Sequence, residues 1–277
     1  MRYDNAVTPV PTTPPRVTNP IQCRLEGTRA LSRRDILVLD NAETQRIESS
    51  HDIFSEGDNR TTLAFLEDGW ACRYRLLGDG RRQIINFHVP GDLVGPITPT
   101  AKSFAAAVSE CIVRYVSRDT LFDRIGASMS LSAAIEVMFA ADYEMMAERT
   151  VSLGRRNAKE RISHLFLELH GRLDRVGLVR DGSFAMPLTQ EMIGDALGLS
   201  IVHVNRTLRV LRQEGLVTAG FGRATIHDSE RLIEVAGAQD GSHLPVDQNT
   251  GLIPVDPLDV GNRTHHGGKT QDLLFGM

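Results

Sequence analysis

The chain has 277 residues, a formal net charge of −4, 24% charged and 41% hydrophobic residues, the balance of a soluble globular protein with room for two domains. No apolar run is long enough to span a membrane, and residues 1–20 lack the apolar core of a secretion signal. Three widely spaced cysteines, Cys23, Cys72 and Cys111, argue against a disulfide framework, so the expected location is the cytoplasm, with no membrane partner.

In chain order, residues 1–22 carry five prolines and few apolar residues, which predicts a disordered segment. From about Asp52 to Ser117, strand-like runs at 62–66, 71–77, 83–88 and 111–116 alternate with Gly, Asp and Asn turns. Such even spacing predicts an antiparallel sandwich or barrel. Residues 131–155 hold no proline and repeat apolar residues at helical spacing, Ile135, Met138 and Met145 among them. That helix is too long and apolar to stand alone, and a second copy across a dimer axis would cover its stripe. After a hinge expected at Gly154, Asn157 and Glu160 form a capping pair, and Ile162, Leu165, Phe166 and Leu169 continue a second helix. Residues 177–187 read as a loop. The tail 238–277 reads as disordered, with His265 and His266 solvated rather than metal-bound, and no metal site is expected.

The most informative stretch is 188–211. Thr189 caps a first helix with Glu191 in its first turn; Met192, Ile193, Ala196 and Leu197 give an apolar face, and Gly198 ends it. Ser200 caps a second helix whose inward stripe is Val204, Leu208 and Leu211. This is the pattern of a helix-turn-helix, in which the second helix enters the major groove of DNA. Forked donors read base edges, arginine on guanine and asparagine on adenine, which fits Arg206 and Asn205. Thr189, Ser200 and Arg209 suit phosphate contacts. Residues 217–227 alternate around Gly220 and Gly222 as a hairpin wing, with Arg223 near its tip. The DNA-facing set is therefore Thr189, Gln190, Ser200, Ile201, Val202, His203, Asn205, Arg206, Arg209 and Arg223. Residues 145–225 hold 12 basic and 8 acidic residues, which leaves −8 on the rest of the chain. The basic half is thus the half that would meet phosphate.

The order β-roll, long helix, winged helix-turn-helix resembles the Crp/Fnr superfamily of bacterial transcription regulators over residues 21–235. The run 188–217, the helix start Asn157-Ala158-Lys159-Glu160-Arg161-Ile162 and the roll segments around Asp68-Gly69, Asp79-Gly80 and Pro90-Gly91-Asp92 carry the resemblance. It implies an α+β fold: a cyclic-nucleotide-binding-like β-roll (a double-stranded jelly roll) at 23–128, a dimerisation helix at 129–156 and a winged helix-turn-helix at 157–237. It also implies a homodimer on a palindromic DNA site, with RNA polymerase as a further partner. An effector pocket would fall on Gly91, Asp92, Leu93, Lys102 and Ser103. This cassette departs from the cyclic-nucleotide pattern. Its acidic residue is missing or displaced, lysine stands where a forked arginine is needed, and Met146 and Ala147 replace the hydroxyls that contact the base. These departures speak against a cyclic nucleotide, and three cysteines exclude a four-thiolate iron–sulfur cluster within one chain. Haem ligation by His88 or Cys72 has no local pattern behind it, and Cys23 is the candidate redox-sensitive thiol. Val202 stands where the family's best-known members have glutamate, and it can meet a thymine methyl. Arg206 aligns with their guanine-reading arginine. The competing reading is a small-ligand sensor whose winged helix makes protein contacts. No catalytic motif points to an enzyme.

Overall fold

The structure is a computed structural model that describes residues 19–26, 31–55, 61–95 and 103–237. Residues 1–18, the tail 238–277 and Lys102 lie outside the described residues, so the disorder expected of the two termini falls there. The expected disorder through residue 22 is corrected at its end. Helix α1 spans Pro20–Glu26, starting on the proline, which suits a first helical position. Asn19 Oδ1 accepts from the Gln22 amide at 3.0 Å. Ile21 and Leu25, one turn apart, are buried among Phe65, Leu131 and Ala134, and that packing is what the proline count could not show.

The roll contains β1 (Glu43–Ile47), β2 (Asp52–Phe54), β3 (Thr62–Asp68), β4 (Ala71–Leu76), β5 (Arg82–His88), β6 (Phe104–Ala107) and β7 (Cys111–Ser117). They form two antiparallel sheets, ordered β1-β7-β3 and β2-β6-β4-β5. Strand β3 buries Leu63, Ala64, Phe65 and Leu66 in succession. One of its faces lines the roll interior and the other meets α1 and the long helix. Two helices absent from the sequence reading flank the roll: α2 (Arg33–Asp40), capped by Ser32, and α3 (Arg118–Ala127), capped by Ser117. Asp35, fully buried, accepts hydrogen bonds from Ser32, Arg124 and Ser128 and so ties α2 to α3 and to the start of the next helix.

Helix α4 spans Met129–Arg155 and α5 spans Ala158–Arg175. The break falls at Arg156, whose extended backbone (ψ 145°) ends α4, and not at Gly154, which lies inside the helix. Asn157 and Glu160 form the reciprocal capping box that starts α5. Arg161 donates to the carbonyls of Leu153, Arg156 and Leu197, and fixes the break against the following domain. Within the expected loop 177–187 the chain forms β8 (Ser183–Ala185), which pairs with a wing strand. A three-residue strand is too short for periodicity to reveal. Then follow α6 (Gln190–Leu197), α7 (Ile201–Gln213), β9 (Val217–Gly220), β10 (Arg223–Ile226) and α8 (Ser229–Ala236), with a sheet ordered β8-β10-β9.

Candidate nucleic-acid interface and effector domain

Helix α6 begins on Thr189, whose Oγ1 accepts from the Met192 amide at 3.1 Å, and ends on Gly198 at φ 64°. Helix α7 begins on Ser200, whose Oγ accepts from the His203 amide at 3.3 Å. Both hydroxyls keep their own proton for an outside acceptor such as a phosphate. Val204, Thr207 and Leu211 are buried beneath α7, and Leu208 is half-buried. On the opposite face Ile201, Val202, His203, Asn205, Arg206 and Arg209 are exposed, Val202 at 78%. The sequence reading of which α7 residues face out therefore agrees with the structure residue by residue. Two contacts were not foreseen: Asn205 Nδ2 donates to Gln190 Oε1 at 3.1 Å, and Arg206 Nη2 donates to His203 Nε2 at 2.9 Å. The first ties Asn205 to α6, and the second holds Arg206 against its own helix.

The wing is a tight hairpin in which Gly220 pairs with Arg223, leaving Phe221 and Gly222 as the turn. Both have positive φ, 52° and 74°. Arg223 Nη2 donates to Ser183 Oγ at 3.2 Å, which aims it along β8. Phe221, fully exposed at the tip, was missed; its only sequence signal is an aromatic between two glycines.

Of the expected effector residues, Gly91, Asp92, Leu93 and Ser103 are among the described residues. Gly91 lies against α1, where a Cβ would come within 2.7 Å of the Pro20 carbonyl oxygen. Asp92 is buried, accepts from the Val89 amide and is ion-paired to Arg172 of α5 and to Arg24 of α1. Burial works to raise its pKa, and the two guanidinium groups outweigh burial and hold it below the usual carboxylate range. Gly91, Asp92 and Leu93 thus join the roll to α1 and α5. Leu93 bridges to Phe65, and Ser103 is half-buried just before β6. Met146 takes a hydrogen bond on Sδ from Arg73 at 3.8 Å. His88 is fully buried, with its pKa pushed down to about 3 by burial first and Arg73 next. Burial pushes the thiols of Cys72 and Cys111 up to about 11 and about 12, whereas Cys23 is exposed on α1.

The three residues expected on the dimer helix lie as follows within the chain. Ile135 and Met145 are buried within their own chain: Ile135 among Leu121 and Leu131, Met145 against Arg172. Met138 is half-buried in the same cluster as Ile135. The face of α4 left open instead carries Tyr143, Met146 and Val151.

A β-roll joined through a long helix to a winged helix-turn-helix defines a DNA-binding regulator with an effector domain. The family models agree: a cyclic nucleotide-binding domain matches residues 44–127 and a Crp-like helix-turn-helix domain matches residues 160–235. The nitrogen fixation regulation protein FixK of Azorhizobium caulinodans is 35% identical over 176 residues, covering 63% of this chain and 71% of that protein. The anaerobic regulatory protein of Haemophilus influenzae is 29% identical, over 75% of this chain and 82% of that one. The solved structure of FixK2 from Bradyrhizobium japonicum superposes with a TM-score of 0.65 at 28% identity, over 72% of this chain and 98% of that one. The chain belongs to the Crp/Fnr family of transcription regulators.

Proposed function

We propose that this regulator binds a palindromic DNA site as a homodimer in the cytoplasm. Arg206, Asn205 and Val202 read bases, and Thr189, Gln190, Ser200, Ile201, His203, Arg209 and Arg223 position the helix on the backbone and groove wall. The observation that carries this reading is the division of α7 into a buried apolar face and an exposed face with forked donors. The open stripe Tyr143, Met146 and Val151 on α4 supplies the dimer contact. RNA polymerase is the partner through which bound protein would act. The β-roll takes an input other than a cyclic nucleotide, because the Asp92 carboxylate and the backbone at Gly91 are committed to the fold.

Selection from a random pool of DNA duplexes tests the core of this reading. The expected product is an inverted repeat with half-sites about 10 bp apart, centre to centre, or a multiple of that spacing. Affinity for it should fall steeply with salt as phosphate counterions are released. A pool that shows no enrichment and no salt-dependent binding overturns the proposal.

A further inference from the structure

We propose that Phe221 is a wedge that enters the DNA minor groove beside the half-site and unstacks a base step. The inference rests on the DNA-binding reading and adds to it a residue, a groove and a mode of contact.

The wing turn asks for residues that tolerate left-handed backbone at both central positions, which is why Asn-Gly and Gly-Gly dominate such hairpins. Here the first position holds phenylalanine at φ 52°. A bulky side chain there is strained. Among the described residues nothing offsets that strain, because Phe221 is fully exposed. Strain kept without an internal return points to a contact made outside.

The surroundings say what that contact is. The hairpin is stiff: Arg212 of α7 donates to the Ala219 carbonyl at 2.9 Å, and the Met186 amide donates to the Gly222 carbonyl at 2.8 Å. The tip is thereby held in fixed relation to the recognition helix and to the segment leading into α6. Residues 217–226 contain no acidic side chain, and Arg223 follows the turn directly. An apolar ring carried on a rigid, acid-free, arginine-bearing hairpin beside a major-groove reader suits the flanking minor groove. Apolar wedges there partly unstack a step and kink the duplex. Pyrimidine–purine steps unstack most easily, so the flank should favour TA or CA/TG.

The test uses the full-length protein and the duplex that it selects from the random pool, with 2-aminopurine placed at the flanking step. The variants are Phe221→Asn, which suits the turn, and Phe221→Leu, which keeps an apolar wedge. Wild type should brighten the probe on binding. Phe221→Asn should melt at a higher temperature yet bind about tenfold more weakly, the scale of one lost base–aromatic contact. It should also lose the probe signal and the flanking preference, with its salt slope unchanged because no charge was removed. Phe221→Leu should retain part of each. Equal affinity and equal probe signal for Phe221→Asn and wild type overturn the wedge while leaving DNA binding intact. Loss of transcription activation with unaltered DNA binding also overturns it, and assigns the ring to the polymerase. Failure of wild type to select any duplex overturns the DNA-binding reading itself.

Discussion

Arg206 and His88 show how differently single residues can contribute. Arg206 is exposed and, among the described residues, held only by His203, so its loss leaves the fold intact and removes a forked donor. Arg206→Ala should cost about 1–3 kcal/mol of specific binding and relax selectivity at one base pair, read by competition against single-base variants of the selected site. His88 acts through the proton it does not take up. Its folded pKa is about 3, against an ordinary value near 6.5 in the unfolded chain. The unfolded state therefore binds a proton below pH 6.5 that the folded state refuses, and stability falls with pH from there down to about 3. The slope from this group should approach about 1.4 kcal/mol per pH unit. Urea midpoints between pH 7 and 4 should show this limb in wild type and a flatter one in His88→Leu; parallel curves would disprove it. The role of Asp92 was illegible for a related reason. Its partner Arg172 stands 80 positions away, and no local pattern announces a buried ion pair.

At the scale of elements, two glycines of the helix-turn-helix do different work. Gly198 has φ 64°, with 3.6 Å to the nearest atom from an added Cβ, so space is available and only the backbone objects. Gly194 lies mid-helix, where a Cβ would sit 2.5 Å from the Leu199 carbonyl oxygen. Gly198→Ala should cost about 1–2 kcal/mol, the left-handed penalty. Gly194→Ala should cost more, because the turn itself must move, and thermal melts of both variants should rank them in that order. The sequence announced the cap and turn at Gly198 but not the close approach at Gly194. Strands showed themselves where β-formers met turn residues: 62–66, 71–77, 83–88 and 111–116 all recur as β3, β4, β5 and β7, with ends displaced by at most two residues. Strand β1, Glu-Thr-Gln-Arg-Ile, is exposed along nearly its whole length and is held by backbone pairing to β7. Strand β6, Phe-Ala-Ala-Ala, has the composition of a helix. Neither carries a pattern that propensity can detect.

Across the whole molecule, one hydrophobic cluster runs from Cys72, Ile84 and Phe87 of the roll to Leu165, Phe166, Ile193 and Leu211 of the DNA-binding part. Arg172 donates to the Phe87 carbonyl and to Asp92 across the same seam, and Arg82 pairs with Asp195 at 2.8 Å. Arg172 also donates to Met145 Sδ at 3.2 Å, and Ile135 packs in the cluster of α1 and β3, so α4 lies with Ile135 and Met145 inward and Tyr143, 72% exposed, outward. Tyr143→Glu should therefore yield a folded monomer in sedimentation velocity, with affinity for the palindrome lowered; a dimer of unaltered stability would refute the assigned face. The sequence by itself determined what depends on short-range chemistry: the caps at Thr189, Ser200 and Asn157, the glycine turn, the α7 stripe and its forked donors, and the β-roll turns. Only tertiary structure decided which side of an apolar helix its own chain consumes, that Asp92 is spent on Arg172 and Arg24, and that Phe221 projects alone from a strained turn. Caps and periodicities are satisfied within a few residues of chain. The burial of α4 and the pairing of distant charges depend on which segments the fold brings together, and no local window contains that information.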